Sequence, residues 1–128
     1  MRYKIVKETK PTLASYGKYR AKAVHNGIVE NSKIEEEVAS RLGISLGAVT
    51  GVRNTLWEVI NEHLRNGEKV RLKDWGLMKL EIESAKVDTV KEFMPRKHIR
   101  GVRLHFLPES SGGSPELYQD IKFVRVRK

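Results

Sequence analysis

The sequence predicts an α+β fold, and two changes of hydrophobic period predict it. Apolar residues alternate with charged ones near the N-terminus, recur at helical spacing between residues 32 and 65, and alternate again beyond Gly67. Strand patterns on either side of a helical stretch suit an α+β arrangement.

In order along the chain, "RYKIVKE" places Tyr3 and Ile5 on one face, "KYRAKAV" does the same for Tyr19, Ala21 and Ala23, and the turn formers of "TKPTLASYG" separate them. This predicts an N-terminal hairpin with a loose loop. Ser32 and Glu35 form an SxxE capping box, Ile34, Val38 and Leu42 follow every four residues, and Gly43 supplies a stop, so a first helix is predicted over 33–42. Ser45 caps a second, longer helix with the apolar stripe Val49, Val52, Leu56, Val59, Ile60 and Leu64. Asn66-Gly67 ends it, with His63 and Arg65 in the last turn, where cations complement the helix dipole. Gly47 and Gly51 each cost about 1 kcal/mol against Ala inside a helix, which implies close packing there or a frayed first turn.

Beyond Gly67, "KVRL" predicts a short strand, and "GLMKLEI" turns Met78, Leu80 and Ile82 inward with Lys79 and Glu81 outward. "SAKVDTVKEF" mixes charges with few apolar residues, as an exposed hairpin or arm would. "RKHIRGVRLHF", residues 96–106, carries four Lys or Arg and no acid, and its "GVRLHF" part turns Val102, Leu104 and Phe106 inward with Arg103 and His105 outward. Pro108 ends that strand. "ESSGGSPE" reads as a turn-rich linker, "LYQD" as a helical turn and "IKFVRVRK" as a last, basic strand.

At 128 residues and 39% hydrophobic content the chain suits a single domain, 1–128, with a modest core. The absence of cysteine excludes disulfides, thiolate metal sites and cysteine nucleophiles. No stretch approaches the roughly 18 apolar residues of a membrane helix, and "MRYKIVKETK" lacks the apolar segment of a secretion signal, so a soluble, cytoplasmic protein is expected. The net charge of +9 is uneven. Residues 1–24 hold seven basic groups against one acid, residues 25–68 four against seven, and residues 69–128 fourteen against eight. Basic flanks around an acidic middle suit a polyanionic partner, although a generally basic soluble surface reads the same way.

Catalytic chemistry finds no support in the residues. His25, His63, His98 and His105 lack ligand spacing, so no metal is expected. Glu35, Glu36 and Glu37 are consecutive on a helix and diverge, so capping and solvation account for them. There is no phosphate-cradling GxxxxGK[ST] and no nucleophile arrangement. The expectation is a non-enzyme with no cofactor, metal or small-molecule substrate. Trp57 and Trp75 sit inside apolar patterns, as core or dimer-interface residues do.

The order of a helix, a glycine turn, a longer helix ending in Asn-Gly, a short strand, "LKDWGLMKLEI", an exposed segment and "VRLHFLP" resembles the HU and integration host factor superfamily of bacterial DNA-binding proteins over residues 32–109. Trp75-Gly76 resembles its aromatic-glycine pair, and Phe106-Leu107-Pro108 its Phe-x-Pro element. The N-terminal β extension, 1–31, and the basic strand 120–128 are similar to those of extended HU-like proteins. The resemblance implies an intertwined homodimer with a helical base and an antiparallel sheet carrying an arm that grips double-stranded DNA in the nucleoid. It implies that Lys79, Lys86, Lys91, Arg96, Lys97, Arg100 and Arg103 face phosphates, without reading a base sequence. The sequence departs from the family at the arm tip. It has no Arg-Asn-Pro-like element to wedge between base pairs, Pro95 falls on the returning strand, and Glu83 to Phe93 carries three acids against two lysines. Two other readings stay open: a dimeric protein-interaction module that has lost DNA binding, suggested by "IEEEVASRL", and RNA binding.

Overall fold

The computed structural model describes residues 1–109 and 116–127. Among them run β1 (Arg2–Lys7), β2 (Tyr19–Val24), α1 (Asn31–Leu42), α2 (Leu46–Arg65), β3 (Val70–Leu72), β4 (Gly76–Ser84), α3 (Pro95–His98), β5 (Ile99–Pro108) and β6 (Val124–Arg125). Short 3-10 turns lie at Val90–Glu92 and Glu116–Tyr118. The chain forms two compact units, Met1–Ile34 with Glu116–Lys128, and Glu35–Pro115.

In the first unit the predicted hairpin forms with Tyr3 opposite Ala23, Lys4 opposite Lys22 and Ile5 opposite Ala21. Its loop is tied by Glu8 N donating to Lys18 O at 2.9 Å. Strand β6 joins β1 in parallel, giving the order β2-β1-β6. The predicted last strand is shorter than "IKFVRVRK": only Val124 and Arg125 are strand, and Lys128 lies outside the described residues. The predicted linker "ESSGGSPE" also falls largely outside them.

The second unit follows its cap signals closely at α2. Ser45 Oγ accepts from Ala48 N at 3.1 Å, and Asn66 N and Gly67 N donate back to Glu62 O and Leu64 O at 3.1 Å each. Gly67, at φ +86°, takes the left-handed turn that glycine allows. The helix is formed through Gly47 and Gly51, and a Cβ at either would meet nothing within 4 Å, so neither fraying nor packing within the chain explains them. Helix α1 begins at Asn31, so Ser32 lies inside the first turn instead of capping it from outside. Glu35 does not belong with the solvated acids: it is buried, accepts a hydrogen bond from Thr50 Oγ1 and lies 3.6 Å from Arg53 Nε. A carboxylate withdrawn from water needs such partners, and these tie α1 to α2.

The helix stripe divides. Val49, Ile60 and Leu64 are buried with Ala39, whereas Val52 is 68% exposed and Leu56, Trp57 and Val59 stay open beside it. The second sheet, in the order β3-β4-β5, shares this incompleteness. Met78, Leu80 and Ile82 stand opposite Phe106, Leu104 and Val102 on one face, as alternation requires. That face is not interior within one chain, because Val102, Leu104 and Phe106 remain 60%, 50% and 45% exposed. Trp75 is exposed as well, which removes a core role for both tryptophans.

At the aromatic-glycine pair, Gly76 sits at φ +150°, and a Cβ there would lie 2.2 Å from the Leu107 carbonyl oxygen. Only glycine lets β4 approach β5 so closely.

Candidate nucleic-acid interface

Register decides which basic side chains share the polar face of the second sheet. Lys79 stands opposite His105 and Glu81 opposite Arg103. Three side chains converge on the Glu81 carboxylate: Arg103 Nη2 donates to Oε2 at 2.9 Å, Lys79 Nζ lies 3.4 Å from Oε1 and His105 Nδ1 3.9 Å from it. The Arg103 hydrogen bond, assisted by Lys79 and by the neighbouring positive charge, holds the Glu81 carboxyl below the usual glutamate range against partial desolvation. Two of the seven residues assigned to phosphates therefore already share an anion. Sequence alternation puts Lys79 and Glu81 on one face, but the pairing with Arg103 depends on a cross-strand register that alternation leaves unspecified.

At the far end of the ribbon the arrangement differs from a two-stranded arm. The ladder stops at Ser84 opposite Ile99, with a register shift beside Glu83 that leaves Arg100 as the extra residue between Gly101 and Ile99. A bulge of this kind re-aims its side chain. Residues 85–98 close the end as a folded connector. Ala85 N donates to His98 O at 2.8 Å, Met94 N donates to His98 Nδ1 at 2.9 Å, and the Phe93 and His98 rings lie tilted at 35° with centroids 5.5 Å apart. "RKHIRGVRLHF" is thus not strand throughout. Pro95, expected on the returning strand, opens α3, since its fixed φ suits a first helical turn and its missing N–H could not serve a ladder. Arg96 and Lys97 ride on that turn, Lys91 on the 3-10 turn before it and Lys86 in the connector. All five cations at this end, Arg100 included, project without an ion-pair partner among the described residues, and the connector's own acids, Asp88 and Glu92, leave them unpaired.

Among the described residues no three His, Asp or Glu stand together as metal ligands, and no helix is long and apolar enough to cross a membrane.

A paired-helix base followed by a three-strand meander closed at an aromatic-glycine turn defines an HU-like α+β domain. Over residues 1–113 the sequence matches the HU-HIG family, described as an HU domain fused to a winged helix-turn-helix, Ig or glycine-rich motif, and the chain belongs to that family. No curated protein matches the sequence. Among solved structures the fold is similar to that of a "Putative bacterial DNA binding protein" from Bacteroides vulgatus ATCC 8482, with a TM-score of 0.63 and 11% identity over 98% of this chain. The chain spans 49% of that protein's length.

Proposed function

We propose that the chain binds double-stranded DNA without strong sequence preference, as a homodimer with an architectural role in the nucleoid. The observation that carries this reading is the cluster of unpaired cations at the closed end of the β4–β5 ribbon, Arg96, Lys97 and Arg100 with Lys86 and Lys91, on a chain of the HU-HIG family. Flexible Lys and Arg side chains there suit phosphates, which position a protein on a duplex but carry no base information. The neighbour's description as a DNA-binding protein supports the same partner.

The dimer rests on uncovered apolar surface. Val52, Leu56 and Val59 line an open concavity on α2 with Ala48, Gly51 and Thr55, and the sheet face of Val102, Leu104 and Phe106 is equally bare. A second copy covers such surface at the least cost in exposed hydrocarbon. Gly47 and Gly51 then have a role, since a residue without a side chain admits close approach of a partner helix.

Replacing Arg96, Lys97 and Arg100 together by Gln should weaken binding to unrelated duplexes equally and flatten log affinity against log salt by roughly 2.7, at about 0.9 per phosphate contact. An unchanged slope refutes the cation cluster as the interface. Sedimentation that finds a stable folded monomer at micromolar concentration refutes the dimer. Loss of affinity for one duplex alone would mean base reading. The folded connector in place of a two-stranded arm favours one other reading, a dimeric protein-interaction module, and this predicts no salt-dependent duplex binding at all.

A further inference from the structure

We propose that the N-terminal sheet carries a second, separate contact surface for the phosphate backbone of duplex DNA, formed by Arg2, Lys4, Arg20 and Lys22. The register of β1 and β2 sorts their side chains by face. Met1, Tyr3, Ile5, Ala21, Ala23 and Phe123 line an apolar concavity on one side. The alternate positions, Arg2 opposite Val24, Lys4 opposite Lys22 and Val6 opposite Arg20, therefore occupy the other. All four cations are exposed.

Three features separate this face from an ordinary solvated one. First, β1, β2 and β6 contain no acid, so nothing on the sheet neutralises it. Lys4, Arg20 and Lys22 have no ion-pair partner among the described residues, and Arg2 gives its Nη1 to the neutral Asn26 Oδ1 at 3.1 Å. Second, the placement is unfavourable for the free chain. Lys4 and Lys22 face each other directly, an arrangement that destabilises a sheet. With strands about 4.8 Å apart and same-face residues roughly 7 Å apart, each cation lies within the Debye length of about 8 Å from its neighbours. A polyanion relieves that repulsion and releases its own counterions. Third, the aromatic side chains of the two paired strands, Tyr3 of β1 and Tyr19 of β2, stand opposite Ala23 and Lys7 on the other face. A cationic face without aromatic platforms suits a duplex backbone and not splayed single-stranded bases, which bind by stacking.

The inference rests on the duplex-DNA reading above, and the test keeps the two apart. In the intact chain, Lys4, Arg20 and Lys22 are replaced together by Gln, which leaves the Arg2–Asn26 hydrogen bond in place. Binding to two unrelated duplexes is measured across salt, and the expected result is a salt slope flattened by roughly 2.7, three contacts at about 0.9 each. The charge-retaining variant, with Lys4→Arg, Arg20→Lys and Lys22→Arg, should keep the parent slope, and far-UV circular dichroism should be the same for both. Should the neutral variant unfold, each single Gln substitution should flatten the slope by about 0.9. If the parent binds and neither the triple nor the single variants change its slope, this second surface is overturned while the DNA reading stands. If the parent shows no salt-dependent duplex binding, both fall. If the slope changes for duplex RNA or for anionic vesicles but not for duplex DNA, the assigned partner is wrong.

Discussion

The two sheets carry comparable numbers of basic side chains and use them differently. On β1 and β2 the basic face holds Arg2, Lys4, Arg20 and Lys22 with no acid among them. On β4 and β5 the corresponding face sets Lys79, Arg103 and His105 around Glu81, with Glu83 one step further along. Charge counted along the sequence thus misjudges the second sheet, because the charge that matters to a phosphate is what the register leaves unpaired. On the β4–β5 ribbon the unpaired cations lie at its end, on the bulge at Arg100 and the turn at Arg96 and Lys97, while on β3 Arg71, opposite Leu77, is exposed and without an ion pair among the described residues.

The largest effect separating the two sheets concerns how they are built. Gly76→Ala should destabilise the chain by about 3 kcal/mol or more, because φ +150° belongs almost only to glycine and the new Cβ meets the Leu107 carbonyl. In the first sheet's hairpin loop, Gly17 also has positive φ, +82°, but open space around it, so Gly17→Ala should cost only about 1 kcal/mol. Urea unfolding of both variants measures the contrast, and equal losses would show that close β4–β5 approach does not hold the second sheet together.

An exchange of acids between the sheets should have an intermediate effect. Glu81→Gln releases Lys79 and Arg103 and should steepen the salt dependence of duplex binding by up to roughly 1.8, two added contacts. Stability should move little, since exposed ion pairs contribute weakly. The reverse change, Val6→Glu, sets a carboxylate opposite Arg20 and on the same face as Lys4, and should flatten the slope by about 0.9. Salt titrations that show no change for Glu81→Gln would mean that the ribbon face of the second sheet never meets DNA, leaving its far end and the first sheet as the contact surfaces.

How much of this was legible in the sequence follows from the range of each interaction. The second helix could be read to its ends, because Ser45, Asn66 and Gly67 act on their own neighbours within four residues. Alternation likewise sorted Met78, Leu80 and Ile82 from Lys79 and Glu81. It could not show that the apolar face of Val102 and Leu104 stays open within one chain, since what covers a face is not encoded in its period. Glu35 looked like its neighbours Glu36 and Glu37 until α2 brought Thr50 and Arg53 against it, and Glu81 became the hub of a basic cluster only through its partner 22 residues away. The start of α3 was readable in principle from Pro95, a favoured first helical residue, but the alternation that follows masked it.

The smallest expected effect is a pH dependence belonging to the second sheet alone. Glu81 has its carboxyl held below the usual range, chiefly by the Arg103 hydrogen bond. A depressed carboxylate contributes its ion pairs fully above the unfolded value, and that contribution is lost as pH falls through the lower, folded one. Acidification should therefore release Lys79 and Arg103 only below the ordinary glutamate value of about 4.3. His105 Nδ1 lies 3.9 Å from the same carboxylate, so the parent chain alone does not isolate the contribution of Glu81. The Glu81→Gln variant isolates it, because the two proteins differ only in that carboxylate. The affinity advantage of the variant should be constant from neutral pH down to the carboxylate range and shrink below it. The same difference measured in the Lys4, Arg20, Lys22 neutral background should be unaltered, because β1, β2 and β6 contribute no carboxylate to titrate. If the advantage already narrows near neutral pH, another group titrates, and Glu81 is not what withholds the second sheet's charge from phosphate.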